Sequence, residues 1–198
     1  DGSIQFCVDS RKLNAITKRD VYLLPHIDDM LDQLGNAKFK SMMDLTMGYW
    51  QIPVAEEHKE KTAFSTRKGI FEFNVMPFGL TNAPATFQRD MDLVLSGLTW
   101  QCCLVYIDDI IVFSPTFERH LDDLERVFTR IREANMFIKL KKCHFCRREL
   151  PFLGHLITEH GVKPDPAKLR AIDAIPPPQN VKDLRTFLGL TGYYRRFI

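Results

Sequence analysis

Long apolar runs are missing from this sequence. No stretch approaches the length that spans a bilayer, which excludes a helical integral membrane protein. Cysteine is scarce: Cys7, Cys102, Cys103, Cys143 and Cys146 form an odd set without even spacing. That argues against a disulfide framework and for a reducing compartment. With 10 Gly and 11 Pro among 198 residues, a collagen-like or low-complexity chain is excluded too. Net charge is nearly absent at +2, so the bulk balance points to no polyanion partner. The N-terminus carries neither the pattern of a secretion signal nor a Met, and the last residues stop inside an apparent helix. The chain reads as a segment of something longer. What is present is 45% hydrophobic and 26% charged, a folded profile rather than a disordered one. The length suits one domain, or one domain and part of a second.

The charge is uneven. Residues 130–150 hold seven Lys or Arg against two Glu, a patch that fits a polyanion but is also what a solvated face looks like. No internal repeat stands out. Residues 4–8 read as a short strand, 27–34 as a short helix, and Phe39–Leu45 as a strand ending at Asp44. Residues 62–66 and 70–75 suggest a strand pair turning at Lys68-Gly69. Phe87, Met91, Val94, Leu95 and Leu98 share a helical face over 82–98, with Asn82 at the cap and Pro84 in the first turn. A clearer helix spans 115–134, with Ser114 as N-cap. Strand-like pieces follow near 150–157, and Pro176-Pro177-Pro178 marks a boundary before a last helix. Strands and helices mix without a regular βαβ rhythm, which predicts an α+β domain with a mainly antiparallel sheet.

The sharpest local feature is CCLVYIDDIIVF, in which two apolar strands flank Asp108-Asp109. Asp-Asp is a poor hairpin turn, because type I′ turns want Asn-Gly or Asp-Gly. Two carboxylates about 4 Å apart also repel by roughly 4 kcal/mol at an effective dielectric near 20. A bound divalent cation reverses that term, and hard oxygen ligands suit Mg²⁺. A solvated acidic turn remains the plainer alternative from these residues alone. Asp44 ends an apolar strand, where a helix cap is the commoner role; spacing alone does not bring it to Asp108.

Taken together, these residues resemble the reverse transcriptase family, most closely the polyproteins of gypsy-type LTR retrotransposons. CVDSRKLN (7–14), MMDLTMGYWQIPV (42–54), MPFGLTNAPATFQ (76–88), YIDD (106–109), KLKKCHF (139–145), FLGH (152–155) and the tail LRTFLGLTGYYRRFI (184–198) stand in family order over essentially the whole chain. The resemblance implies a polymerase palm with an antiparallel sheet, helices and partial fingers over 1–160, and the start of a thumb or connection segment over 161–198. It implies an RNA-directed DNA polymerase, a nucleotidyltransferase that adds dNTPs to a primer 3′-hydroxyl on an RNA or DNA template. Asp44, Asp108 and Asp109, with the backbone carbonyl of Leu45, would hold two Mg²⁺ ions, or Mn²⁺ in their place. Asp109 would contribute less directly than the other two.

Further roles follow from the same resemblance. Tyr49 would exclude a ribose 2′-hydroxyl, and Gln5, Phe78 and Gly79 would lie at the nucleotide. Lys142, with Lys141 as its neighbouring alternative, would donate a proton to the leaving pyrophosphate. Asn82 and Pro84 would follow the template. Tyr106, Phe152, Leu153, Gly154 and His155 would meet the primer. The parent would be a Pol polyprotein with protease, RNase H and integrase, acting inside the cell in a cytoplasmic particle or the nucleus, away from membranes.

The match has departures. Gln5 stands where the family commonly carries Arg, Ser10 replaces a common aromatic, and Met47 replaces a small or polar residue. They keep open a catalytically dead remnant that only binds nucleic acid or serves a structural role. Cys143, Cys146, His155 and His160 imitate a zinc pattern, but the middle spacing is short and Cys143 and His155 fall inside two of the motifs above.

Overall fold

A computed structural model describes residues 7–35 and 37–197. The strands are β1 (Phe39–Asp44), β2 (Phe64–Thr66), β3 (Gly69–Phe71), β4 (Cys103–Tyr106), β5 (Asp109–Ser114), β6 (His144–Arg147), β7 (Leu150–Phe152), β8 (His155–Thr158) and β9 (Gly161–Pro164). The helices are α1 (Arg11–Ile16), α2 (Ile27–Leu34), α3 (Glu56–Lys59), α4 (Ala83–Val94), α5 (Phe117–Glu133), α6 (Pro166–Asp173) and α7 (Val181–Tyr193).

The central sheet runs β4-β5-β1-β6, and all its pairings are antiparallel. Its apolar residues alternate between two cores. Met43, Val105, Ile110 and Val112 pack with α4 and α5 through Phe87, Met91, Leu124 and Val127. Leu104, Ile111 and Phe113 pack on the other side with Met30, Leu31 and Leu34 of α2 and with Leu150, Phe152 and Ile157 of the β7-β8-β9 sheet. Period-two alternation with both faces covered explains why β4 and β5 read as unbroken apolar runs. The architecture is the mixed, mainly antiparallel one that the sequence predicts.

Several local expectations are corrected. Of the strand predicted over 4–8, Cys7 and Val8 are not in a strand, and the rest, Gln5 included, lies outside the described residues. The β2–β3 turn is Arg67-Lys68, because Gly69 already pairs with Thr66. The β4–β5 turn is Ile107-Asp108, because Asp109 stays in the ladder opposite Tyr106. Ser114 does not cap α5: it is buried at the end of β5, and Thr116 caps instead by accepting the Arg119 amide. Asn82 sits at the N-cap position of α4 without a capping bond.

A polar chain ties β6, β1, β5 and α5 together. The Cys146 amide donates to Ser41 Oγ (2.9 Å), which lies 2.7 Å from His120 Nε2. His120 Nδ1 lies 3.1 Å from Ser114 Oγ, which donates to Asp123 Oδ2 at 2.9 Å. Ser114 spends its proton on Asp123 and so accepts from Nδ1–H, while Nε2 faces Ser41 Oγ. Neutral His120 fits these bonds as its Nδ1–H tautomer. Burial lowers its pKa, with Asp123 partly opposing. A lowered His pKa gives stability that is full above the ordinary value near 6.5 and is lost as pH falls below it, by up to about 1.4 kcal/mol per unit. The urea midpoint is expected to drop between pH 7 and pH 5, and to drop less in His120→Gln. Equal drops in the two proteins would show that His120 does not carry the effect.

Candidate active site

β1 and β5 pair in a register that sets Asp44 directly opposite Asp109, and Asp108 occupies the adjoining turn. The turn is held from three sides. The Leu45 amide donates to Asp108 O (3.4 Å). Gln88, fully buried on α4, accepts the Ile107 amide at Oε1 (2.8 Å) and donates from Nε2 to Val105 O (3.2 Å) and Asp92 Oδ1 (3.1 Å). Gly48 lies so close that an added Cβ would fall 2.3 Å from Asp108 Oδ1 and 2.9 Å from Phe87 Cζ. Ile107 has φ 54°, a left-handed conformation that costs a β-branched residue free energy. Its amide bond to Gln88 is one of the contacts that holds it there.

The charge of Asp44 bears on both of the other carboxylates. Burial, then Asp44 and Asp109, push the Asp108 pKa up, with Lys142 opposing. Burial and Asp44 push Asp109 up likewise. Lys142 Nζ donates to Asp44 Oδ2 at 2.9 Å, and that bond raises the lysine's own pKa. The Lys139 amide donates to Asp44 O at 2.8 Å, so the segment 139–142 grips Asp44 at both main chain and side chain. Asp108 Oδ1 is buried and has no hydrogen-bond partner among the described residues. An orphaned anionic oxygen beside two further carboxylates fits a hard divalent cation. Among the described residues, no three His, Cys, Asp or Glu side chains are gathered as a ready metal cage, the Cys143, Cys146, His155 and His160 set included.

The aromatic residues form one wall. Tyr49 packs against Phe78 (5.4 Å between ring centroids) and Phe87 (5.5 Å), and Trp50 against Phe78 (5.9 Å). Burial, then Asp108, raises the Tyr49 pKa. Gly79 takes φ 90° and accepts Asn14 Nδ2 at its carbonyl (2.7 Å). Met47 (φ 48°) leads into Gly48 and is largely exposed. Asn82 spends its amide on the segment before α2, donating to Lys18 O and accepting from the Asp20 amide. Pro84 sits in the first turn of α4. Tyr106 and His155 line one pocket of about 380 Å³ together with Tyr193 and Arg196, whereas Asn82 lines a different pocket. Phe152 is buried in the second core, and Leu153-Gly154 form the β7–β8 turn.

Sequence reasoning missed Gln88 and Gly48. A polar residue beside Phe87 on the helix, and a glycine four residues after Asp44, were the available signals.

A family profile described as reverse transcriptase (RNA-dependent DNA polymerase) matches residues 2–157. The chain belongs to the reverse transcriptase family. It is 49% identical over 191 residues to the retrovirus-related Pol polyprotein from transposon 297 of Drosophila melanogaster, covering 96% of this chain and 18% of that protein. It is 32% identical to the Tf2-3 polyprotein of Schizosaccharomyces pombe, covering 100% of this chain and 15% of that one. The chain thus spans less than a fifth of these relatives. Among solved structures, a foamy viral protease-reverse transcriptase in complex with double-stranded DNA matches with TM-score 0.90 and 31% identity, over 98% of this chain and 34% of that one. The same kind of enzyme in complex with an RNA/DNA hybrid matches with TM-score 0.79 and 32% identity, over 94% and 25%. The family generally uses divalent metal ions. No helix among the described residues is long and apolar enough to cross a membrane.

Proposed function

We propose that this chain is the polymerase core of an RNA-directed DNA polymerase, extending a primer 3′-hydroxyl with dNTPs on an RNA or DNA template. The observation that carries the reading is the pairing of Asp44 with Asp109 beside the turn residue Asp108. Asp44, Asp108, Asp109 and the Leu45 carbonyl would hold two Mg²⁺ ions, or Mn²⁺. When bound, these ions supply charge neutralisation and activation for an in-line displacement on the α-phosphorus.

The chain's own side chains do the rest. Tyr49, wedged between Phe78 and Phe87, is too constrained to yield to a 2′-hydroxyl and so favours deoxynucleotides. Phe78, Gly79 and Gln5 border the nucleotide. Lys142 holds its proton firmly while bonded to Asp44, and delivers it to the departing pyrophosphate once that bond is exchanged. Asn82 and Pro84 follow the template; Tyr106 and the Leu153-Gly154 turn, set by buried Phe152 and His155, serve the primer. The basic residues of 130–150 attract phosphates, so duplex binding weakens as salt rises. Residues 1–160 carry the palm and partial fingers, and 161–198 begin the thumb or connection. The parent is a Pol polyprotein with protease, RNase H and integrase, working inside the cell.

Primer extension by the full-length polymerase on an RNA template tests this. Template-directed dNTP incorporation that requires a divalent ion is expected, with rNTPs used poorly. A folded, duplex-binding enzyme that incorporates nothing would establish the dead remnant instead.

A further inference from the structure

The last helix ends on the β7–β8 turn. Leu153 (φ 44°) and Gly154 (φ 73°) both take the left-handed conformation that a two-residue hairpin turn needs. Tyr193 donates its hydroxyl to Leu153 O at 2.6 Å, and Tyr194 donates to Gly154 O at 2.9 Å. Both central carbonyls of the turn are therefore taken by adjacent tyrosines of α7 and its C-cap. Each carbonyl uses its second lone pair as well. Leu153 O lies 2.9 Å from His155 Nδ1, and Gly154 O accepts the Asp165 amide at 3.1 Å.

The approach is close enough to select the residue. A Cβ added at Gly154 would meet Tyr194 Oη at 3.1 Å and Tyr193 Cε1 at 3.6 Å. The His155 ring packs against Tyr193 (5.3 Å), Tyr194 (5.4 Å) and Phe197 (5.7 Å). The far end is anchored too: Arg196 bonds Asp32 at 2.8 Å and pairs with Asp28 at 3.5 Å, both on α2.

The geometry points to a latch, in which the Tyr193 and Tyr194 hydroxyls position the Leu153-Gly154 turn for the primer and make its placement depend on the docking of α7. The tyrosines are positioning residues acting through the turn. The inference rests on the proposed primer role of residues 152–155. It adds that grip on the primer is controlled from a helix outside the central sheet. A latched turn holds the primer terminus between additions. A released turn lets it go, without altering the carboxylates or the nucleotide wall.

The test uses Tyr193→Phe/Tyr194→Phe in the full-length polymerase, which keeps every ring contact and deletes only the two hydroxyls. Amide exchange over 150–158 is expected to quicken, because the turn's carbonyls lose their latch. Primer–template dissociation is expected to quicken by about two- to tenfold per hydroxyl. Products made in the presence of a heparin trap shorten accordingly. Single-nucleotide kcat on saturating primer and the dNTP KM are expected to hold, a split that general loss of structure does not give. Unchanged exchange overturns the latch. Faster exchange with unchanged dissociation overturns its primer role. If the unsubstituted enzyme incorporates nothing, the polymerase reading falls, and the exchange measurement still decides the latch. Should the double variant misfold, Tyr194→Phe alone gives the same readouts.

Discussion

Asp108→Asn is expected to abolish nucleotide incorporation while leaving duplex binding and folding in place. Asn matches Asp in shape, so the close approach to Gly48 survives. What disappears is the charge on an oxygen that is buried without a partner. If that charge supplies about 4 kcal/mol of metal-mediated stabilisation in the transition state, the loss is about 10³-fold in kcat. Stability should move the other way. The Asp108 pKa is pushed up by burial and by Asp44 and Asp109, so removing the charge relieves repulsion. A melting temperature equal to or above that of the parent, unchanged duplex affinity by fluorescence anisotropy, and no extension product are the expected set. Retention of more than about a tenth of the activity would remove Asp108 from the catalytic group.

Lys40→Met is expected to produce the largest loss of stability without touching the site. Lys40 lies fully buried on β1, and its ammonium donates to Ala37 O (2.5 Å), Arg148 O (3.2 Å) and Thr158 O (3.2 Å). One side chain thus pins the loop before β1, the β6–β7 connection and the end of β8. Burial lowers its pKa, with Glu159 and Glu149 partly opposing. Met fills the volume but offers no donor. Each stranded carbonyl costs about 1–3 kcal/mol, offset by the desolvation the ammonium no longer suffers. A net loss of about 3 kcal/mol lowers Tm by about 6–12 °C in a chain of this size. Thermal unfolding checks it, and a shift under about 2 °C would show that the carbonyls find other donors.

The apolar strands, the amphipathic helices and the acidic pair were legible because each is a local pattern. Apolar residues at 42–43, 103–107 and 110–113 dictate strands wherever they end up, and the α4 and α5 faces follow from helical spacing. The approach of Asp44 to Asp109 was not legible from spacing, since it depends on the register of two strands far apart in sequence; only the resemblance supplied it. Turn positions failed by one residue at Arg67-Lys68 and Ile107-Asp108, because propensity assigns the turn to the worst strand former, whereas ladder pairing retained Gly69 and Asp109. Lys40 and His120 were unreadable for a different reason. A charged or polar residue is scored as surface until its partners are known, and theirs come from three other segments. Gln88 was hidden in the same way, on a helix whose apolar neighbours drew the attention.

The antiparallel register of β1 with β5 carries a consequence for how the molecule acquires its activity. Hairpins such as β4–β5 close early and locally, but β1 must find β5 and then β6 across long stretches of chain, the slow kind of pairing. A slip of one residue would turn Met42 and Met43 onto the wrong cores and move Asp44 off Asp109 at the same stroke. Half-folded chains therefore hold Asp108 and Asp109 on their hairpin but lack Asp44 beside them. During synthesis, the three-carboxylate cluster would come together in one late step, at the moment β1 finds its register.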